Sequence, residues 1–134
     1  AAEHAEIPDL SLTSCQEVTA SIRFYEMEDG IYLIKLQDKM HEKEVDRFKD
    51  LVDRLIKSGH LDTIVDLSDL HYISSPGIAM MINIHRKIRQ EGGAIIFVNP
   101  HPKVTEIFSV CKLDNILQIT KSLEDAIAYF RIFH

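Results

Sequence analysis

The chain has 134 residues, of which 46% are hydrophobic and 27% charged, and a formal net charge of −6. This length and composition indicate one globular, soluble domain with a single core. Nonspecific nucleic-acid binding is not expected, because the 15 Lys and Arg residues are scattered among 21 Asp and Glu residues rather than clustered in a basic patch.

The chain begins with a segment that lacks periodicity and continues into a predicted hairpin. Residues 1–16 are polar and aperiodic, so we expect a flexible tail in front of a domain that spans residues 17–134. Apolar residues alternate with polar ones from Val18 to Phe24, which predicts a half-buried strand. Glu28-Asp29-Gly30 carries a turn signal, and Ile31–Leu36 is the predicted return strand.

The rest of the chain alternates between helical and strand patterns. Apolar residues at spacings of three and four predict a first helix that follows a loop at Asp38–His41 and stops before Gly59. The further predicted elements are a strand at Thr63–Leu67, a helix at Ser74–Gln90, a strand at Ala94–Val98, a short helix at Lys103–Cys111, a strand at Ile116–Ile119 and a helix capped by Ser122. This order predicts an α/β fold: a mainly parallel sheet of about five strands with an N-terminal hairpin and about four helices.

No metal or cofactor site is expected from the sequence. Cys15 and Cys111 are far apart and outside any CxxC spacing, which indicates reduced thiols. The seven histidines show no metal-ligand spacing, and no Gly-rich phosphate loop follows a strand. No apolar run reaches membrane-span length, and residues 1–7 lack the pattern of a signal peptide, so we expect a cytoplasmic location.

The most informative stretch runs from Ile64 to Ile78 and reads IVDLSDLHYISSPGI. It resembles the signature of the STAS family, V-D-L-S-x-[VL]-x-[FY]-[MI]-D-S-S-G-L. Further matching positions are Gly92-Gly93, Asn99-Pro100, Val104 and Leu113, so the resemblance extends over roughly Val18 to Phe130.

The resemblance implies a regulatory protein rather than an enzyme. Family members of the anti-anti-sigma type bind anti-sigma factors, a serine-kinase-type partner phosphorylates a serine at the start of the second helix, and a phosphatase restores the complex. The alignment places Ser75 at the phosphorylated serine, with Ser74 as the alternate site where the family has Asp. The partner-binding surface implied for this chain comprises Asp38, Lys39, Met40, Ser74, Ser75, Pro76, Gly77, Ala79, Met80 and Asn83.

The chemistry of the segment supports a phosphoserine at this place. A serine directly before a helix is a typical N-cap, and Pro76 suits the first helical position, where a missing N–H costs nothing. A phosphate on Ser75 would then meet the positive end of the helix dipole and the free N–H groups of Gly77 and Ile78. In the simplest interpretation Ser75 is only a helix cap.

Two other functions remain open at this stage. A STAS domain can act without phosphorylation as an interaction module of a larger signalling complex, a sensor or a transporter. An enzyme that uses Ser75 with His71 or His85 as its base is the third possibility, and it ranks last because a hydrolase elbow needs glycine where this chain has Ile73.

Overall fold

The computed structural model describes residues 12–27 and 30–133, which form one six-stranded sheet and four helices. The strands are β1 Leu12–Thr19, β2 Ile22–Met27, β3 Ile31–Met40, β4 Asp62–Ile73, β5 Ala94–Val98 and β6 Gln118–Thr120. The helices are α1 Glu42–Lys57, α2 Ser75–Gln90, α3 Pro102–Val110 and α4 Leu123–Phe133. The predicted fold class is confirmed.

The strands lie in the sheet in the same order as in the sequence. β1, β2 and β3 are antiparallel neighbours, whereas β3, β4, β5 and β6 are parallel to one another. The parallel strands are joined through α1, α2 and α3, and these helices pack on one face of the sheet around Phe48, Met81 and Phe108. α4 follows the last strand and packs on the opposite face, through Ala126, Ile127 and Phe130.

The N-terminal hairpin differs in detail from the predicted one. The alternating residues from Val18 to Phe24 belong to two strands, because a turn at Ala20-Ser21 separates β1 from β2. β1 begins at Leu12, so residues 12–16 of the predicted tail lie in the sheet, whereas residues 1–11 are outside the described part of the chain. The predicted turn residues Glu28 and Asp29 are also outside it.

Two strands extend further towards their carboxyl ends than the sequence predicted. β3 continues through Asp38 to Met40, and β4 continues through the polar segment at Ser68-Asp69, beyond its predicted end at Leu67. Both extensions are irregular: the β3–β4 register shifts between Lys35 and Gln37 and again after Asp38, whose φ is 62°. Polar residues in bulged strand ends lack the alternation that identifies a strand, which is why the pattern missed them.

His85 on α2 gives the stability of the protein a predictable pH dependence. Burial lowers the pKa of His85 from its usual value, and the positive charges of Arg89 and Arg86 lower it further. The unfolded chain therefore binds a proton at this residue more readily than the folded chain does. We expect the free energy of unfolding to be independent of this proton above about pH 6.5. Below that value it should decrease as the pH falls, because the unfolded chain takes up the proton first. Urea unfolding across this range, with His85→Gln as the control that removes this dependence, measures it.

Candidate functional site

The functional residues that the sequence predicted lie around the start of α2. Ser74 is the N-cap of this helix, and its hydroxyl accepts a hydrogen bond from the Gly77 N–H at 3.2 Å. The prediction that Ser75 is the cap is therefore wrong by one residue. Ser75 is the first helical residue and Pro76 the second, where the N–H that proline lacks would also have no partner within the helix.

The two N–H groups that the sequence predicted as a cradle for a phosphate are already in use. The Gly77 N–H binds the Ser74 hydroxyl, and the Ile78 N–H binds the Ser74 carbonyl oxygen at 3.0 Å. The predicted cradle of free N–H groups for a phosphate is therefore not formed. Ser75 is exposed, and within the described part of the chain its hydroxyl has no hydrogen-bond partner. The Ser75 hydroxyl thus projects into solvent instead of being held against the helix.

The starts of α1 and α2 are held side by side by the ends of the two parallel strands before them. Met40 pairs with Ile73 across the β3–β4 ladder, and the Ser74 N–H donates to the Met40 carbonyl oxygen at 3.2 Å. This bond fixes His41, which precedes α1, next to Ser74, which precedes α2. A shallow recess lies between the two helix starts, lined by His41, Glu42, Lys43, Glu44, Ser74 and Pro76.

Exposure divides the predicted partner-binding residues into two groups. Asp38, Lys39, Ser75, Pro76, Ala79 and Asn83 are exposed, and Ser74 is half-buried, so these seven are available to a partner. Met40, Gly77 and Met80 are buried, and the prediction that they form contacts at the surface is wrong. Met80 shares the inward stripe of α2 with Met81, Ile84 and Ile88, and Met40 closes the core at the end of β3.

One exposed aromatic side chain beside the site, Tyr72, was not in the predicted surface. Tyr72 is 42% exposed, and its ring lies 5.2 Å from the ring of His41, centroid to centroid. The sequence contained a signal for Tyr72, because a polar aromatic residue followed by the apolar Ile73 fits the alternation of a strand. It was missed because the strand was predicted to end at Leu67. The charges around these rings are mixed: Glu44 accepts a hydrogen bond from the His41 N–H at 3.2 Å, and Lys43 lies on the same rim.

Neither histidine that could have served as a catalytic base is placed at Ser75. The His71 ring packs against the ring of His101 at a centroid distance of 4.7 Å. His85 lies ten residues further along the same helix, a rise of about 15 Å from Ser75. Within the described residues there is also no cluster of three or more His, Cys, Asp or Glu side chains that could hold a metal ion, and no helix there is long and apolar enough to span a membrane.

The capping geometry predicts different costs for the two serines. Replacing Ser74 with alanine removes the acceptor for the Gly77 N–H, so we expect a loss of about 1 kcal/mol in the free energy of unfolding. Replacing Ser75 with alanine should change it by less than about 0.5 kcal/mol, as for most exposed residues. Urea titrations of the two variants against the wild type measure both values. Equal losses would contradict the assignment of the cap to Ser74.

The family model described as STAS domain matches residues 25–126, which is most of the chain. The chain belongs to the STAS domain family. A relative from Thermotoga maritima, provisionally named as an anti-sigma factor antagonist, is 26% identical over 108 residues, which are 80% of this chain and 96% of the relative.

Solved STAS structures show the same fold at low sequence identity. A crystal structure of a provisionally named anti-sigma factor antagonist from Thermotoga maritima superposes with a TM-score of 0.76 at 23% identity and covers 87% of this chain and 99% of its own. The anti-sigma factor antagonist SpoIIAA in its unphosphorylated form has a TM-score of 0.68 at 18% identity, over 82% of this chain and 97% of its own. A structure of SpoIIAA from Bacillus in its phosphorylated form has a TM-score of 0.61, also at 18% identity, over 90% of this chain and 99% of its own.

The same fold also occurs within a much larger protein. The murine anion transporter Slc26a9 superposes with a TM-score of 0.64 at 15% identity, over 98% of this chain but only 24% of the transporter. At this identity the likeness concerns the fold alone.

Proposed function

We propose that this STAS domain is a cytoplasmic anti-sigma factor antagonist, which binds a kinase-type anti-sigma factor and is released when Ser75 is phosphorylated. The observation that carries the proposal is the exposed hydroxyl of Ser75 at the first position of α2, which has no hydrogen-bond partner among the described residues. A hydroxyl that takes no part in the fold can be modified without loss of the fold, as a switch requires.

The proposed modification is a phosphoryl transfer from ATP. The Ser75 oxygen attacks the γ-phosphorus, its proton is lost to a base, and ADP leaves. The product carries a charge of about −1.5 to −2 at the positive end of the α2 dipole, which tolerates an anion. The domain should therefore stay folded after modification.

Loss of binding would follow from the charge at the centre of the docking surface. A partner that fits against a neutral hydroxyl must desolvate the phosphate when the complex forms, and each 1.4 kcal/mol of that cost weakens the complex about tenfold. We propose a docking surface that consists of the exposed residues Asp38, Lys39, His41, Tyr72, Ser75, Pro76, Ala79 and Asn83, with half-buried Ser74 beside them. An exposed aromatic side chain such as Tyr72 is typical of the residues that dominate binding energy in interfaces.

Ser75 fits the proposed role better than Ser74 does. The Ser74 hydroxyl is half-buried and accepts the hydrogen bond that caps α2. Phosphorylation of Ser74 would change that cap and crowd the recess beside His41, whereas Ser75 is fully available. The names of the relatives support the function, since they describe anti-sigma factor antagonists, and SpoIIAA is known in both phosphorylation states.

The proposal is tested by intact-mass spectrometry after incubation with ATP and the candidate anti-sigma factor kinase. The wild type should gain one phosphate, and Ser75→Ala should gain none. Ser74→Ala is the matched control and should still be modified. A phosphate on Ser75→Ala that disappears in Ser74→Ala would move the site by one residue, and unmodified wild type in complex with the kinase would contradict the switch.

The alternative function is an unphosphorylated interaction module. The superposition of this chain on 24% of the anion transporter supports this possibility. The two functions differ in one measurement: a module should bind its partner equally well before and after treatment with kinase and ATP.

A further inference from the structure

A second recess lies on the opposite side of the sheet from α2, at the carboxyl end of β5. Its volume is about 420 Å³, and it is lined by Lys35 of β3, by residues from the middle of β4 and the end of β5, and by the connection between β6 and α4. β5 leads into α3 on one face, whereas its neighbour β6 leads into α4 on the other. Where adjacent parallel strands connect to opposite faces, a crevice opens at their carboxyl ends, and open α/β sheets bind ligands in such crevices.

The floor of the recess carries two charged residues, next to a row of the same sheet face that is wholly apolar. Leu33, Ile64 and Ile96 are aligned across three strands and buried in the core that α4 covers. Two residues further along the same strands, and therefore on the same face, the aligned residues are Lys35, Asp66 and Val98. The two charged residues of this row line the recess together with the first residues of α4, Leu123 and Glu124.

Charged groups of both signs line the recess, and those of β3 and β4 are held in position by their neighbours. Lys35 is only 2% exposed, and its ammonium group lies 3.0 Å from a carboxylate oxygen of Asp69, which is 45% exposed. One oxygen of Asp66 accepts the Ser68 N–H at 2.9 Å. The β4 wall therefore presents two oriented carboxylates. The opposite wall carries Lys121 and the positive end of the α4 dipole, although Glu124 lies there as well.

We infer that this recess binds a small zwitterion of the α-amino acid class. The carboxylates of Asp66 and Asp69 would hold the ammonium group of the ligand. Lys121 and the start of α4 would hold its carboxylate, and Val98 lies on the floor between them. One wall is formed by β4 and the other by the segment directly after β6, and these two strands lie two strand spacings, or about 9 to 10 Å, apart. An α-amino acid with a hydrogen bond at each end spans about 9 Å.

The inference is independent of the proposed function. The recess lies on the α4 face, whereas the surface around Ser75 lies at the start of α2, which packs on the other face. Failure to bind an amino acid would therefore leave the proposed switch unaffected, and loss of the switch would not affect the recess.

The test is a titration of the ¹⁵N-labelled protein with each standard L-amino acid at millimolar concentration, followed by NMR. At least one should shift the amide signals of Asn99, Ser122 and Leu123 in a saturable manner. The N-acetyl and carboxamide derivatives of that amino acid should bind at least about tenfold more weakly, because each lacks one charge. Inorganic phosphate serves as the comparison for simple anion binding.

Matched variants test whether the amide signals shift because the amino acid binds in the recess. Asp66→Asn keeps an oxygen for the Ser68 N–H, so it should fold, yet it should weaken binding about tenfold or more. The control is Asp114→Asn, an exposed carboxylate on the turn after α3, which should bind like the wild type. The inference is overturned if no amino acid binds saturably, if either of the two derivatives or phosphate binds equally well, or if Asp66→Asn has no effect.

Discussion

Replacing Gly93 with alanine should lower the free energy of unfolding by about 3 kcal/mol, at the upper end of the usual cost of overpacking. A Cβ atom at Gly93 would lie 2.4 Å from both the Cβ and the carbonyl oxygen of Leu61. The carbonyl is backbone and already accepts the Ala94 N–H at 3.1 Å, so it cannot move aside without disturbing the first pair of the β4–β5 ladder. Urea unfolding monitored by circular dichroism measures the loss.

The control for Gly93 is its exposed neighbour Glu91, which is the C-cap residue of α2. Glu91→Ala leaves the backbone and the contact with Leu61 unchanged, so it should stay within about 0.5 kcal/mol of the wild type. If Gly93→Ala were as stable as the wild type, the backbone at Gly93 would have to lie further from Leu61 than these distances indicate.

Replacing Ser75 with glutamate should weaken binding to the anti-sigma factor about 100-fold or more, since an unmatched charge buried in an interface costs several kcal/mol. Stability should hardly change, because the side chain is exposed and an acidic residue is favourable in the first turn of a helix. Isothermal titration calorimetry gives the affinity, and thermal unfolding shows that the variant is folded.

Ser109 on α3 offers the matched control for this charge. It is exposed, like Ser75, but lies on a different helix from the proposed docking surface. Ser109→Glu adds the same charge to the protein and should bind like the wild type. If both variants lost affinity equally, net charge rather than the position of Ser75 would govern binding, and if neither did, Ser75 would lie outside the interface.

The sequence predicted best those parts of the fold that hydrophobic periodicity determines. The inward face of α1 is confirmed from Val45 to Leu55. Apolar residues at three- and four-residue spacings lie on one side of a helix, and that side packs against the core. Ser122 is confirmed as a cap, since its hydroxyl accepts the Asp125 N–H at 3.2 Å. Both features are local, and local patterns are visible in the sequence.

The errors arose where neighbouring elements decide the outcome. Whether Ser74 or Ser75 caps α2 depends on where β4 ends, and the Ser74 N–H is held by Met40 on the adjacent strand. Met80 looked like a surface residue because α2 is apolar on more than one side, and only the packed structure shows which side faces the sheet. Lys35 offered no signal at all, because a single buried lysine depends on Asp69, far away in the sequence.

The sheet has a property that bears on how the chain reaches its folded state. Every strand is hydrogen-bonded to the strand that follows it in the sequence, from β1 through to β6. Each pair of neighbouring strands is therefore closed by a turn or by one helical crossover, and no pair needs a longer segment of chain to close. During synthesis each new strand would find its neighbour already formed and would extend the sheet by one step, so an incomplete chain never has to wait for a distant segment.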